Sequence, residues 1–334
     1  MSISGTHLTA SVIIATRNRT DLLAKAAESV AEQDLSDFEV LIVDDGSSSE
    51  TLEHHRQLVV RLGTRFRLLE PAAPGCRGSG PSGARNRGAR AATGEFLAFL
   101  DDDDFWCDRS YLRNACEALR SHSADYLFGD VVADRDGAVI RPNWAPPPGE
   151  TLKGSHETGT PGIRQLTPRY SQYLARARVI HPGHSVVRRT LFEAVGGFFE
   201  GLWSNSEDRD LMIRVLDSAA GVLYYQNPIL NYRLPTVGSI TCSEQTYLHS
   251  LQRNLSGQHC RLRCTNEEYR ASARASEAWA LRQLADLQAR NGSIADSMFF
   301  ALQSVAAYPS LGGLFFLAKH SLNCVAAAMH RQKP

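Results

Sequence analysis

The chain has 334 residues, 43% of them hydrophobic, enough for one large domain with an appendage or for two domains. Lys plus Arg and Asp plus Glu both total 36, which excludes a chain that wraps nucleic acid or coats an acidic membrane through global charge. Seven cysteines without a CxxC pair exclude a disulfide framework and fit a reduced compartment.

Ser11 to Thr16 (SVIIAT) is a β-branched run, and the next segment puts Leu22, Leu23, Ala26, Ala27 and Val30 on one helical face. FEVLIVDDGS predicts a second buried strand ending in Asp44 and Asp45. Ser47 and Glu50 form a capping-box pattern for a helix ending near Gly63, and Phe66 to Glu70 reads as a third strand. GARNRGARAATG then reads as a helix and EFLAFL as a fourth strand, which runs straight into Asp101, Asp102, Asp103 and Asp104. Short apolar strands alternating with helices predict an α/β fold, with a mainly parallel sheet covered on both faces. In such sheets ligands bind beyond the carboxyl ends of the strands, where this chain places Thr16 to Asn18 and the two aspartate groups.

After a helix over Ser110 to Ser121, YLFGDVVADRDGAVI predicts antiparallel strands around a turn at Asp134 to Gly137. Arg141 to Gly162 is a Pro/Gly-rich loop, of a length that in compact domains is often functional. HSVVRR reads as a strand, LFEAVGG as a short helix ended by glycines, SEDRDLMIRVLDSA as a helix, and GVLYYQNPILNYR as two short strands. From about Ser243 the pattern is helical. Ala271 to Arg290 and Ile294 to Ala307 are amphipathic, and the apolar LGGLFFLA opens a third segment that either packs or touches a membrane surface. No segment has the roughly 18 to 20 apolar residues a bilayer span needs, and the first residues carry no signal-peptide pattern. The expected setting is cytoplasmic, with peripheral contact at the inner face of the membrane through the C-terminal helices.

Gly78, Gly80 and Gly83 match GxGxxG spacing, but they lie eight residues beyond the nearest strand and after Pro71 and Pro74, so they are not a dinucleotide fingerprint. Their loop can still approach a phosphate at the start of the Ala84 helix. Four adjacent carboxylates repel one another and need a cation, donors or water. Asp101 and Asp103, two residues apart on a strand-end turn, can face one way and offer hard oxygen ligands to Mg²⁺ or Mn²⁺, leaving positions for a diphosphate. Asp208 falls in the first turn of a helix, where the macrodipole favours an ionised carboxylate able to act as a general base.

SVIIATRNR, VDDGS, SGARNRGARAATGEFLAFLDDDDFW, VGGF and SEDRDLMIR occur in an order and spacing that resembles family 2 glycosyltransferases, the inverting enzymes of the GT-A fold. The resemblance covers about Ser11 to Tyr232. It implies a metal-dependent glycosyl transfer from a nucleotide-diphosphate sugar, UDP favoured, to a hydroxyl of a saccharide or lipid-linked acceptor in surface polysaccharide or lipopolysaccharide assembly. It implies that Asp45 contacts the base, Asp102 and its neighbours hold the ribose, Asp103 is the main metal ligand, Asp208 is the base, and Thr16 lines the base pocket. Glu207 would orient the base or the acceptor, and Arg85 and Asn86 would reach the nucleotide, with pairing to the aspartates the alternative for Arg85. His184 and Trp203 fall on the acceptor side, with a core or surface histidine the other reading of His184; Trp106 and Trp203 would stack on sugar faces, with core packing as their other reading. The chain departs from the family at Ala15 and at Arg17, where a guanidinium would replace an aromatic against the base, and at Leu234 and Pro235, where many members carry a His that approaches the metal. Residues 1–242 are the expected GT-A domain, with a nucleotide half to about 105 and an acceptor half to 242, and 243–334 the helical appendage. The competing readings are a non-catalytic nucleotide or carbohydrate binder on the same fold and a DxD-type phosphatase.

Overall fold

The computed structural model describes residues 8–135, 138–141, 153–177, 181–202, 206–233 and 246–331. They form two compact units, one holding the sheet and its helices and the other the helices from Thr246 on. The first unit begins with β1 (Ala10–Thr16), α1 (Thr20–Ala31), β2 (Phe38–Asp44), α2 (Ser49–Leu62), β3 (Phe66–Leu69), α3 (Gly80–Ala91) and β4 (Phe96–Asp101). These strands pair in the order β3-β2-β1-β4, all parallel. Val12, Ile14, Val40, Ile42, Ala98 and Leu100 are buried together on one face, and Ile13, Leu41, Val43 and Phe99 are buried on the other, which is why each strand is a continuous apolar run. The register sets Thr16 opposite Asp44 and Ala15 opposite Asp101, so the polar strand ends form one row at the carboxyl edge.

Gly88 lets α3 lie close on this sheet: a Cβ there would stand 2.5 Å from Ile13 Cγ2 and 3.0 Å from Val43 Cγ2. The helix starts at Gly80, earlier than the expected start at Gly83, with Pro81 in its first turn where no backbone donor is needed. The cap of α2 is Ser48 rather than Ser47. The Ser48 hydroxyl accepts from Thr51 N–H, while the Ser47 hydroxyl accepts from Asn18 N–H at 2.9 Å and ties the β2 turn to the β1 turn.

Past β4 come β5 (Phe105–Trp106), α4 (Tyr111–Ser121), β6 (Tyr126–Arg135), β7 (Ala138–Arg141), β8 (Ser155–Glu157), β9 (Ile163–Leu166), α5 (Pro168–Ala177), β10 (Ser185–Arg188), α6 (Arg189–Ala194), α7 (Glu207–Ser218) and β11 (Val222–Arg233). The antiparallel strand β10 joins β4 to β6, and the path continues β6-β11-β9-β8, completing a mixed, mainly parallel sheet. Two expectations change here. GVLYYQNPILNYR is one strand: Pro228 sits at a register shift against β6 and bends β11 without ending it. The Arg141 to Gly162 segment, expected as loop, contains β8, which pairs with β9; residues 142–152 of it lie outside the described residues.

The second unit contains α8 (Thr246–Arg263), α9 (Glu267–Arg290), α10 (Ile294–Ala307) and α11 (Leu311–Arg331). Asn266 caps α9 by accepting from Glu268 N–H, and Tyr269, Ala273, Leu281 and Leu284 are its buried face.

Candidate active site

The two acids after β2 divide their work. Asp44 is fully buried and accepts from Gly46 N–H and Ser47 N–H, with His55 Nδ1 at 2.7 Å. Burial pushes its carboxyl up, but the bonds from His55 and Ser47 outweigh that and hold it below the usual range. It fastens the turn. Asp45, half-buried, accepts at 2.8 Å from Ser79 N–H, Ser79 Oγ–H and Gly80 N–H, and so receives the first donors of α3. This explains the glycine-rich stretch: a Cβ at Gly78 would meet Asp45 O at 2.2 Å and Asp45 Oδ2 at 2.3 Å. The glycine spacing serves a close approach to an aspartate.

The repulsion among the four aspartates is answered by two guanidiniums. Arg85 NH2 donates to Asp101 Oδ1 at 2.6 Å, and Arg19, at the start of α1, donates to Asp102 Oδ1 and Asp103 Oδ2 at 2.9 Å each. Thr16 adds a hydroxyl donor to Asp102 Oδ2 at 2.8 Å. Burial pushes Asp101 up, but Arg85 and His181 reverse the shift and hold it low. Asp102 goes the other way: burial, aided by the charge of Asp103, outweighs Arg19 and Thr16 and pushes it up to about 6. Asp103 is also raised, by burial and the charge of Asp101.

Arg85 carries the network to α7. Its NH1 reaches Glu207 Oε1 at 3.2 Å, and its guanidinium lies 5.3 Å from the Phe198 ring centroid. Burial and the neighbouring Asp208 raise Glu207 against the pull of Arg85. Asp208, next on that first turn, is half-buried. Tyr232 connects the same groups: burial, with the charges of Asp104, Asp101, Asp103 and Asp208, pushes its phenol up to about 12. The loop before α7 is pinned from two helices. Asn86 donates to Phe198 O and accepts from Phe198 N–H, while Arg214 donates to Val195 O at 2.6 Å and Gly197 O at 2.8 Å and pairs with Asp210.

Several expected residues therefore stand elsewhere. Asn86 is buried against the 197–200 loop, where it also donates to Glu200, and does not face the nucleotide edge. His184 is 2% exposed; its Nδ1–H donates to Gly129 O and its Nε2 accepts from His181 N–H, so both ring nitrogens are used and burial pushes it down to about 3. It holds the 181–184 turn and has no nitrogen for an acceptor. Trp106 is buried and donates its indole N–H to Gly183 O. Arg17 is exposed beside Thr16. Trp203 lies outside the described residues, as do Leu234 and Pro235.

Arg19 and His181 were the residues sequence reasoning missed. His181 Nε2 stands 3.4 Å from Asp101 Oδ2, and ligand atoms of Asp101, Asp104 and His181 lie within 4.8 Å of one another. Around a six-coordinate cation with bonds of about 2.1 Å, ligands sit roughly 3 to 4.2 Å apart, so this set fits Mg²⁺ or Mn²⁺ after a small contraction. His181 Nδ1 accepts from Gly183 N–H at 3.2 Å, which suits a neutral ring with its proton on Nε2; to hold a cation through Nε2 the ring would need its proton on Nδ1, at the expense of this long bond. The expected ligand Asp103 is turned to Arg19 instead. The signal for His181 in the sequence is the HPGH stretch, in which it and His184 look alike.

Comparison with known proteins bears on the family and the fold. The family profile described as glycosyl transferase family 2 matches residues 11–196. A GalNAc(5)-diNAcBac-PP-undecaprenol beta-1,3-glucosyltransferase of Campylobacter jejuni is 33% identical over 134 residues, 39% of this chain and 40% of that protein. A PGL/p-HBAD biosynthesis glycosyltransferase of Mycobacterium tuberculosis is 33% identical over 123 residues, 36% of this chain and 46% of that protein. The chain thus spans less than half the length of these curated relatives. Among solved structures, Staphylococcus aureus TarS 1–349 in complex with UDP-GlcNAc superposes with a TM-score of 0.65 at 19% identity, covering 90% of this chain and 82% of that one. The mannosyltransferase PcManGT of Pyrobaculum calidifontis, in complex with GDP-Man and Mn²⁺, gives 0.53 at 19% identity, covering 98% and 82%. The fold is GT-A.

Proposed function

The chain belongs to glycosyl transferase family 2, and from that premise we propose that it is an inverting enzyme moving a sugar from a nucleotide-diphosphate donor to a hydroxyl of a saccharide or lipid-linked acceptor. The observation that carries this reading is the linkage Asp101–Arg85–Glu207, which joins the acidic end of β4 to the helix turn bearing Asp208. Asp208 accepts the proton of the acceptor hydroxyl, the freed oxygen attacks the anomeric carbon from the face opposite the diphosphate, and the bond from that carbon to the diphosphate oxygen breaks with inversion. Glu207, held by Arg85, positions that turn. Thr16, Asp45 and Asp102 are assigned to the nucleotide side, with Asp102 the acceptor for a ribose hydroxyl and Arg17 the group against the base. Asp101, Asp104 and His181 would hold the divalent cation, with Asp103 as a further carboxylate if Arg19 turns toward the diphosphate. When bound, that cation supplies charge neutralisation for the departing nucleoside diphosphate.

UDP is favoured because TarS is seen with UDP-GlcNAc, and a lipid-linked or glycolipid acceptor is favoured by the names of the two curated relatives. Residues 243–334 are read as an appendage to the catalytic domain. Asp208→Asn is the test: calorimetric UDP affinity should stay within about threefold of wild type while transfer falls by about 10³-fold or more. Transfer at the wild-type rate would remove Asp208 from the reaction, and binding of UDP without transfer in the wild type would favour a non-catalytic binder.

A further inference from the structure

Helix α11 is turned inside out. Its polar His320 is buried, with Nε2 2.6 Å from the Ser297 hydroxyl of α10 and Nδ1 3.3 Å from Asp286 of α9. On its other side Leu311, Leu314, Phe315, Ala318 and Leu322 are exposed, and their spacing confines them to an arc of about 100°. The four large ones are 88%, 53%, 71% and 72% exposed. Phe299 and Leu302 add exposed apolar surface on α10 of the same hairpin. Scattered apolar residues on a surface mean little, but a continuous stripe of this size on a helix that buries its histidine points to a partner.

Charge decides which partner. After Asp296 the sequence has no acidic residue, and its formal charges are Lys319, Arg331 and Lys333, all positive. Lys319 is exposed one position beyond Ala318, at the border of the stripe. An apolar stripe bordered by Lys319, on a helix that carries no carboxylate, complements the surface of an anionic bilayer, where side chains enter the acyl boundary and the ammonium group meets lipid phosphates. Among the described residues no helix is long and apolar enough to cross a membrane, so contact would be in the plane of the surface. We propose that α11 is a membrane-surface helix that seats its Leu311–Leu322 stripe in an anionic lipid interface. The inference stands on this second unit alone and does not depend on the catalytic reading.

The test is co-sedimentation of the full chain with vesicles of phosphatidylcholine alone or with one third phosphatidylglycerol, comparing wild type with Leu314→Glu/Phe315→Glu and with Lys319→Glu. Circular dichroism verifies that the helices persist; should the double variant lose helicity, Leu322→Gln takes its place, since that side chain is 72% exposed. The expected result is binding of wild type to the anionic vesicles, a loss of about tenfold or more in affinity for the stripe variant, and a smaller, salt-sensitive loss for Lys319→Glu. Failure of wild type to sediment, or equal sedimentation of wild type and a folded stripe variant, overturns the proposal. So does concentration-dependent self-association that the stripe variant abolishes, without vesicle binding: the occupant would then be a second copy of this chain.

Discussion

Arg85→Met keeps most of the side-chain length and removes the one charge that joins β4 to α7. Arg85, Asp101 and Glu207 expose only 8%, 23% and 13% of their side chains, so water replaces the guanidinium poorly. Removing one partner of a buried ionic group costs about 3–5 kcal/mol, because the remaining charges stay buried. The loss should depend on pH with a definite sign. In the wild type Arg85 holds Asp101 low against burial, and it opposes the burial that raises Glu207. Without it, burial is opposed at Asp101 only by His181 and Arg19 and at Glu207 only by a backbone hydrogen bond, so each folded-state pKa rises. Such a group contributes its stability below the unfolded pKa and loses it as pH rises through the folded one, by about 1.4 kcal/mol for each pH unit that separates the two values. The deficit of the variant should therefore be smallest near pH 4 to 5 and grow toward pH 8. Urea denaturation of both proteins at pH 5, 6.5 and 8, followed by near-ultraviolet circular dichroism, measures it. A deficit independent of pH, or one below about 1 kcal/mol, would show that Arg85 does not neutralise these acids.

Asp102→Asn should stabilise the protein by about 1–2 kcal/mol at pH 8, since the buried carboxyl is raised to about 6 and its favourable contribution is lost as pH rises through that value; thermal unfolding that shows no gain at pH 8 relative to pH 5 contradicts this. Gly78→Ala forces a Cβ to within 2.2 Å of Asp45 O and should weaken UDP binding by about tenfold with a stability loss of about 1–3 kcal/mol, read by calorimetry and denaturation. His181→Ala should lower Mn²⁺ affinity about 10- to 100-fold while leaving the fold intact, and unchanged Mn²⁺ binding would return the metal to the aspartates alone.

The parallel half of the sheet was legible because each strand there is a continuous apolar run bounded by polar turns, from SVIIAT to EFLAFL. The strand ends that carry the candidate site followed from the same pattern. What the sequence hid are contacts between residues far apart along it. Arg19 reaches Asp102 and Asp103 across 83 and 84 positions, and Arg85 reaches Glu207 across 122. No periodicity records such pairs. Local signals were misread where a tertiary bond chose between equals: Ser47 and Ser48 are both competent caps, and the bond from Asn18 N–H took Ser47 away. Likewise two histidines in HPGH look alike until burial consumes both nitrogens of His184 and leaves His181 facing Asp101. Pro228 reads as a strand break, and only a register shift against β6 makes it a bend.

The aspartate run is a problem of charge balance. Three of its members, Asp101 to Asp103, share two guanidiniums, and Arg85 must also serve Glu207. The cluster is short of positive charge, and the upward shifts of Asp102, Asp103 and Glu207 are the physical expression of that shortage. A protein selected only for stability would replace such a residue with Asn or Ser, because burying a carboxylate without full compensation works against folding. The presence of all of them makes sense if the missing charge arrives with a bound cation. A divalent cation would supply two positive charges at the Asp101, Asp104 and His181 edge, and a diphosphate, itself negative, would then bind against the cation and give Arg19 a competing partner for the one it would leave on Asp103. The same imbalance that penalises the isolated protein thus favours binding of metal and donor together, and each should strengthen the other's affinity.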